Sequence, residues 1–137
     1  LAAAAGVLRD DESLRSRWSD DATGQAAEAL DAAIAAMQQL GKASPGDKTM
    51  LDALVPLRDA LRSAAARGDD LSSAWRSAAA AAMSAAEATA SLVPKVGRAR
   101  PLAQQSVGTP DPGAISLATI AQALTALPST RKEEPHE

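Results

Sequence analysis

Alanine supplies most of the apolar content of this chain and recurs at helical spacing, which restricts the possible folds more than any other feature. Hydrophobic residues make up 46% of the 137 positions, yet Phe, Tyr and Cys are absent and Trp18 and Trp75 are the only aromatic side chains. Alanine is the strongest helix former. Helices faced with it approach closely but bury little apolar area per residue, so the expected fold is all-α, an antiparallel helical bundle of modest intrinsic stability.

The periodic stretches and their stop signals divide the chain. Leu1 to Leu8 suit the last turns of a helix begun upstream, and Asp10 to Ser19 form a charged connector. Asp20, Asp21 or Thr23 can cap a helix whose buried face is Ala26, Ala29, Leu30, Ala33, Ile34 and Met37, with Gly41 as its stop. Thr49 is the expected cap of the next helix, with Asp52 placed to return the capping bond. That helix runs through Leu54, Leu57 and Leu61 to Arg67, and Gly68 ends it. Pro56 lies inside it, removing a hydrogen bond and bending it, a strain of about 3 kcal/mol. A third helix starts at Asp69 or Asp70, aligns Leu71, Trp75, Ala78, Ala82, Ala85 or Ala86, and Thr89, and stops before Pro94. Residues 93–112 are too long for an ordinary helix connection, and their charges between Pro94 and Pro110 (Lys95, Arg98 and Arg100) are all positive. Asp111 as cap and Pro112 in the first turn open a last helix through Gly113, Ile115, Ile120, Leu124 and Leu127. Residues 1–127 are thus read as one domain and 128–137 as a polar tail, in which His136 is a solvent-facing group.

Charge and composition exclude several functions. A net charge of -3 and a pI near 5.1 give no basic field for nucleic acid, and no stretch is long and apolar enough to predict a membrane span. The absence of cysteine removes thiolate and Cys-type zinc chemistry and is compatible with a cytoplasmic protein. Met37, Met50 and Met83 suit core filling, and the two tryptophans suit packing between helices.

The chemistry concentrates in GKASPGDKTMLD, Gly41 to Asp52. Gly41, Gly46, Lys48 and Thr49 nearly spell the phosphate-binding G-x-x-x-x-G-K-S/T, but Asp47 separates the second glycine from the lysine and a helix, not a strand, precedes the loop. A P-loop is therefore rejected. In an antiparallel bundle alternate connections share an end, so this loop and residues 93–112 should be neighbours, while the turn at 67–70 lies at the other end beside residues 10–20. Helix starts after Gly46 and Asp111 would point free N–H groups into one space, with Lys42, Lys48, Lys95, Arg98 and Arg100 as cations for a compact polyanion such as a nucleotide. The same residue types also suit an ordinary solvated loop.

Four ordered strings sharpen this reading: GKASPGDKTMLD (41–52), AAEATA (85–90), KVGRA (95–99) and GTPDPGA (108–114). Together they resemble the C-terminal part of the dihydroxyacetone kinase nucleotide-binding domain, of the DhaL or DAK-phosphatase type. The resemblance implies an eight-helix antiparallel barrel holding ADP or ATP with magnesium at one end. It implies partnership with a dihydroxyacetone-binding kinase domain or subunit and, in many bacteria, with a phosphotransferase-system phosphocarrier. Carried over by motif, Gly41, Met50, Arg98, Asp111, Pro112 and Gly113 are the implied nucleotide contacts, with Gly46, Asp47, Lys48 and Thr49 in support and no catalytic residue assigned.

The sequence departs from the family pattern in three respects. A Ser-Tyr-Leu-Gly-Glu-Arg-Ser-like run is replaced by residues 100–106, with Gln104 and Gln105 where a Glu-Arg pair is usual, and Thr109 stands where a His is usual. The aspartate cluster of G-D-G-D-x-G type that holds magnesium has no counterpart. Phosphoryl transfer depends on positioning and charge neutralisation, so these residues alone are expected to be an incomplete kinase domain, inactive by themselves. A noncatalytic helical module that binds a partner protein through the same end is the alternative.

Overall fold

A computed structural model describes residues 21–96 and 100–126. Among these residues there are four α-helices and no strand: α1 (Ala22–Gly41), α2 (Leu51–Ala66), α3 (Leu71–Ala88) and α4 (Pro112–Ala123), with short 3-10 segments at Thr89–Ser91, Arg100–Ser106 and Leu124–Ala126. The all-α expectation is met. The expected connector at 10–20, Trp18, Arg98 and the tail at 128–137 lie outside the described residues.

Local chemistry explains where the helices begin. The Asp21 carboxylate accepts from the Gly24 N–H at 2.9 Å, Asp70 from Ser73 at 3.1 Å and Asp111 from Ala114 at 2.8 Å. Such caps stabilise a helix by about 1 kcal/mol each. Helix α1 ends at Gly41 as expected, but Lys42 is the left-handed residue (φ 52°), its N–H bonded to the Gln38 carbonyl at 2.9 Å. Helix α2 continues unbroken through Pro56.

The helices follow one another across the bundle, α1 packing on α2, α2 on α3 and α3 on α4, with α4 also reaching α2. Leu51, Leu54, Leu57 and Leu61 of α2 are all 4% exposed or less and form its large apolar centre. Each contributes roughly 1.5–3 kcal/mol. Facing them, α3 presents Ala74, Ala78, Ala79, Ala82 and Ala86, all buried. Trp75 joins α3 to α4, its Nε1 donating to the Ala121 carbonyl at 2.8 Å.

Helix α4 buries a stripe of small residues. Its buried residues are Ala114, Ala118 and Ala121, whereas Ile120 is 59% and Leu124 43% exposed. Close approach to α3 selects the small-residue stripe over the bulky one. Between α1 and α2, Asp31 pairs with both Arg58 and Arg62.

Candidate functional site

The two long connections meet at one end, as the alternation of helices predicts. The Lys95 N–H donates to the Asp47 carbonyl at 3.2 Å, joining the loop after α1 to the connection before α4. At the other end, Thr23 Oγ1 donates to the Asp69 carbonyl at 2.9 Å, placing the start of α1 beside the turn between α2 and α3.

Asp52 organises the first loop. One carboxylate oxygen accepts from the Gly46 N–H at 2.5 Å and the other from Thr49 at 2.8 Å, while Thr49 Oγ1 accepts from Leu51 at 3.2 Å. The returned capping bond is therefore present, but Met50 rather than Thr49 occupies the cap position of α2. Gly46 adopts φ 94°, a left-handed conformation that costs a side-chain-bearing residue far more than glycine. Asp47 closes the preceding turn, its carboxylate accepting from the Ser44 N–H at 2.9 Å.

Several of the N–H groups expected to be free at the two helix starts are already bonded. Gly46, Thr49 and Leu51 have their N–H groups bonded within the loop. The Asp111 N–H donates to Thr89 Oγ1 at 2.7 Å, and Asp111 itself caps α4. Two carboxylates, of Asp52 and Asp111, already complement the positive ends of these helices.

Lys48 also differs from its place among the cations expected to meet phosphate. It is 5% exposed, with φ 62°, and its ammonium donates to the carbonyls of Leu92 at 3.2 Å and Ser106 at 2.7 Å. Lys42 and Lys95 are exposed. Arg98 is not among the described residues.

Of the implied contacts, Met50 and Gly113 are brought together. A Cβ placed on Gly113 would sit 3.7 Å from Met50 Cβ and 3.1 Å from Asp111 Oδ2. Met50 is 37% exposed, an apolar side chain at the surface rather than the core filler its type suggests. Gly41 lies at the same end, and a Cβ there would meet nothing within 4 Å. A separate cleft of about 320 Å³ lies between α1 and α2, lined by Gly24, Ala27, Glu28, Asp31, Arg62 and Ala65, away from these loops. Sequence reasoning missed the bridging of Thr89 and Ser106. Thr89 lies within the AAEATA string, the one local sign that it does more than pack.

Among the described residues no group of three or more His, Cys, Asp or Glu could hold a metal ion. Nor is any helix among them long and apolar enough to cross a membrane.

Helix order and loop placement define an all-α bundle whose polar connections converge on one end. The chain belongs to the DAK2 domain family, which matches residues 2–126, and its architecture is that of a partial DhaL-type bundle. It is 47% identical over 121 residues to an L-erythrulose kinase of Pectobacterium atrosepticum, covering 88% of this chain and 19% of that protein. A D-erythrulose kinase of Mycolicibacterium smegmatis is 58% identical over 87 residues, 64% of this chain and 15% of the relative. The ADP-binding subunit DhaL of the PEP-dependent dihydroxyacetone kinase of Escherichia coli is 40% identical over 84 residues, 61% of this chain and 40% of the subunit. The chain therefore spans a minor part of the length of each of these relatives.

Proposed function

We propose that this chain is the C-terminal portion of the ADP/ATP-binding domain of a kinase that phosphorylates a small ketose such as dihydroxyacetone or erythrulose. The observation that carries the proposal is the close approach of Met50 to Gly113, which brings two of the family-matched segments together at one end of the bundle. Gly41, Met50, Asp111, Pro112 and Gly113 would frame the nucleotide, with Met50 offering an apolar surface to the base. Gly46, Asp47 and Thr49 hold the loop in shape through Asp52 and Ser44. Arg98 enters this reading through the family resemblance alone, as a forked donor for phosphate.

A nucleotide in such a kinase acts with magnesium, which neutralises charge during phosphoryl transfer. The described carboxylates do not fit that ion: Asp52 and Asp111 are engaged as caps. No step through magnesium is assigned to these residues, and the chain is proposed to bind nucleotide without turning substrate over alone. The ketose-binding kinase domain or subunit is its proposed partner, with a phosphotransferase-system phosphocarrier as the phosphoryl donor in the bacterial subunit type. The cytoplasm, where nucleotide is available, is the proposed location.

Calorimetry with MgADP tests the proposal. Binding heat from the wild-type chain that is lost in G113V, whose side chain would crowd the Asp111 carboxylate and fill the space beside Met50, supports it. No heat together with stable self-association would instead favour the noncatalytic interaction module. ATP-dependent phosphorylation of dihydroxyacetone by the isolated chain would overturn the assignment of inactivity.

A further inference from the structure

A lysine that is buried and held in a left-handed backbone conformation calls for a physical reason. Lys48 is 5% exposed, and its φ of 62° falls where glycine is the residue of least strain. An ammonium is strongly hydrated in water, so burying it is unfavourable unless oriented acceptors replace that hydration. Here the acceptors are the carbonyls of Leu92 at 3.2 Å and Ser106 at 2.7 Å.

Those two carbonyls belong to opposite limbs of the connection between α3 and α4. One ammonium therefore fixes the point where that connection leaves the bundle and the point where it returns. Two backbone bonds lie beside it: the Gly108 N–H donates to the Ala90 carbonyl at 2.7 Å, and the Lys95 N–H to the Asp47 carbonyl at 3.2 Å. Lys48 is followed closely by Met50 on one side of the site. Ser106, which it holds, leads through Gly108 to Asp111 and Gly113 on the other.

We propose that Lys48 is a positioning residue for this end of the bundle: its ammonium sets the spacing between the start of α2 and the start of α4 and so controls nucleotide affinity without touching the nucleotide. The link to affinity rests on the reading of this end as a nucleotide site; the clasp itself does not. A lysine serving as a direct phosphate ligand would need its ammonium at the open rim, whereas this one is directed inward to two main-chain acceptors.

The test compares K48M, K48G and K48R with wild type in the intact protein. K48M keeps the apolar stem and removes the ammonium, K48G also removes the backbone strain, and K48R restores a cationic donor. Amide exchange is read at Lys95 and Gly108, which report the clasp, and at Leu57 and Ala82, which report the helices. Exchange at Lys95 and Gly108 is expected to accelerate about tenfold or more in both K48M and K48G, with little change at Leu57 and Ala82. MgADP affinity should fall about tenfold in the same two variants, and K48R should recover part of both effects.

Wild-type exchange at Lys95 and Gly108 in K48G would overturn the clasp. Equal loss of protection at all four amides would overturn it too, since Lys48 would then serve the whole fold. If wild type gives no heat with MgADP, the nucleotide reading fails while the exchange measurements still decide the clasp. A K48M variant with faster exchange at the two loop amides but unchanged affinity would overturn the link to binding.

Discussion

Thr89 shows how much one hydroxyl at a helix end can hold. At 1% exposed it donates to the Ala86 carbonyl at 2.6 Å and accepts from the Asp111 N–H at 2.7 Å, tying the end of α3 to the cap of α4. T89V keeps the shape but strands that N–H, so urea unfolding should register a loss of roughly 1–3 kcal/mol, with T89S losing less. Asp31 offers a test by pH. A hydrogen bond from Arg58, aided by Arg62, holds its carboxyl below the ordinary value of 3.8 against the opposing effect of burial. A carboxyl whose folded pKa is depressed stabilises fully above its ordinary value, and the benefit fades as pH falls through the folded value. The pair is partly solvated, so D31N should cost no more than about 1 kcal/mol at neutral pH. Thermal melts of wild type and D31N should differ at pH 7 and converge progressively below pH 3.8.

At the scale of the helix, small residues define the packing. Ala82 is fully buried on α3, while Ile120 on α4 is 59% exposed. A82L should therefore destabilise by roughly 1–3 kcal/mol through overpacking. I120Q should stay within about 0.5 kcal/mol of wild type, as surface changes do. Denaturant midpoints measure both, and a larger loss in I120Q than in A82L would contradict the assigned faces. Pro56 also belongs to this scale. The helix remains continuous around a residue that can donate no backbone hydrogen bond, inside a segment anchored by Leu54 and Leu57 at 4% and 2% exposure.

Across the whole molecule, the proposed ligand bridges the connections on both sides of the α2–α3 pair, so its binding should stabilise the bundle as a unit. MgADP at 100 times its dissociation constant should raise stability by about 2.7 kcal/mol, visible as a shift of the whole thermal transition. Two transitions, of which only one shifts, would contradict a ligand shared by these elements. The sequence by itself determined the helices, because their causes are local: alanine at helical spacing, and capping residues just ahead of the first turn, among which the structure selected Asp21 and Asp70 and kept Asp111. It also determined that the loops at 41–52 and 93–112 share an end, because alternating helices leave them no other arrangement. Only the tertiary structure decided which stripe of α4 is buried, since bulky and small residues both repeat at helical spacing and the approach of α3 selects between them. It likewise decided the work of Lys48 and Thr89, whose partners lie 44 and 58 residues away in one case and 22 in the other. A hydrogen bond across such a separation does not name its partner in the sequence, so the lysine that looked like a phosphate cation became, in the fold, an internal support.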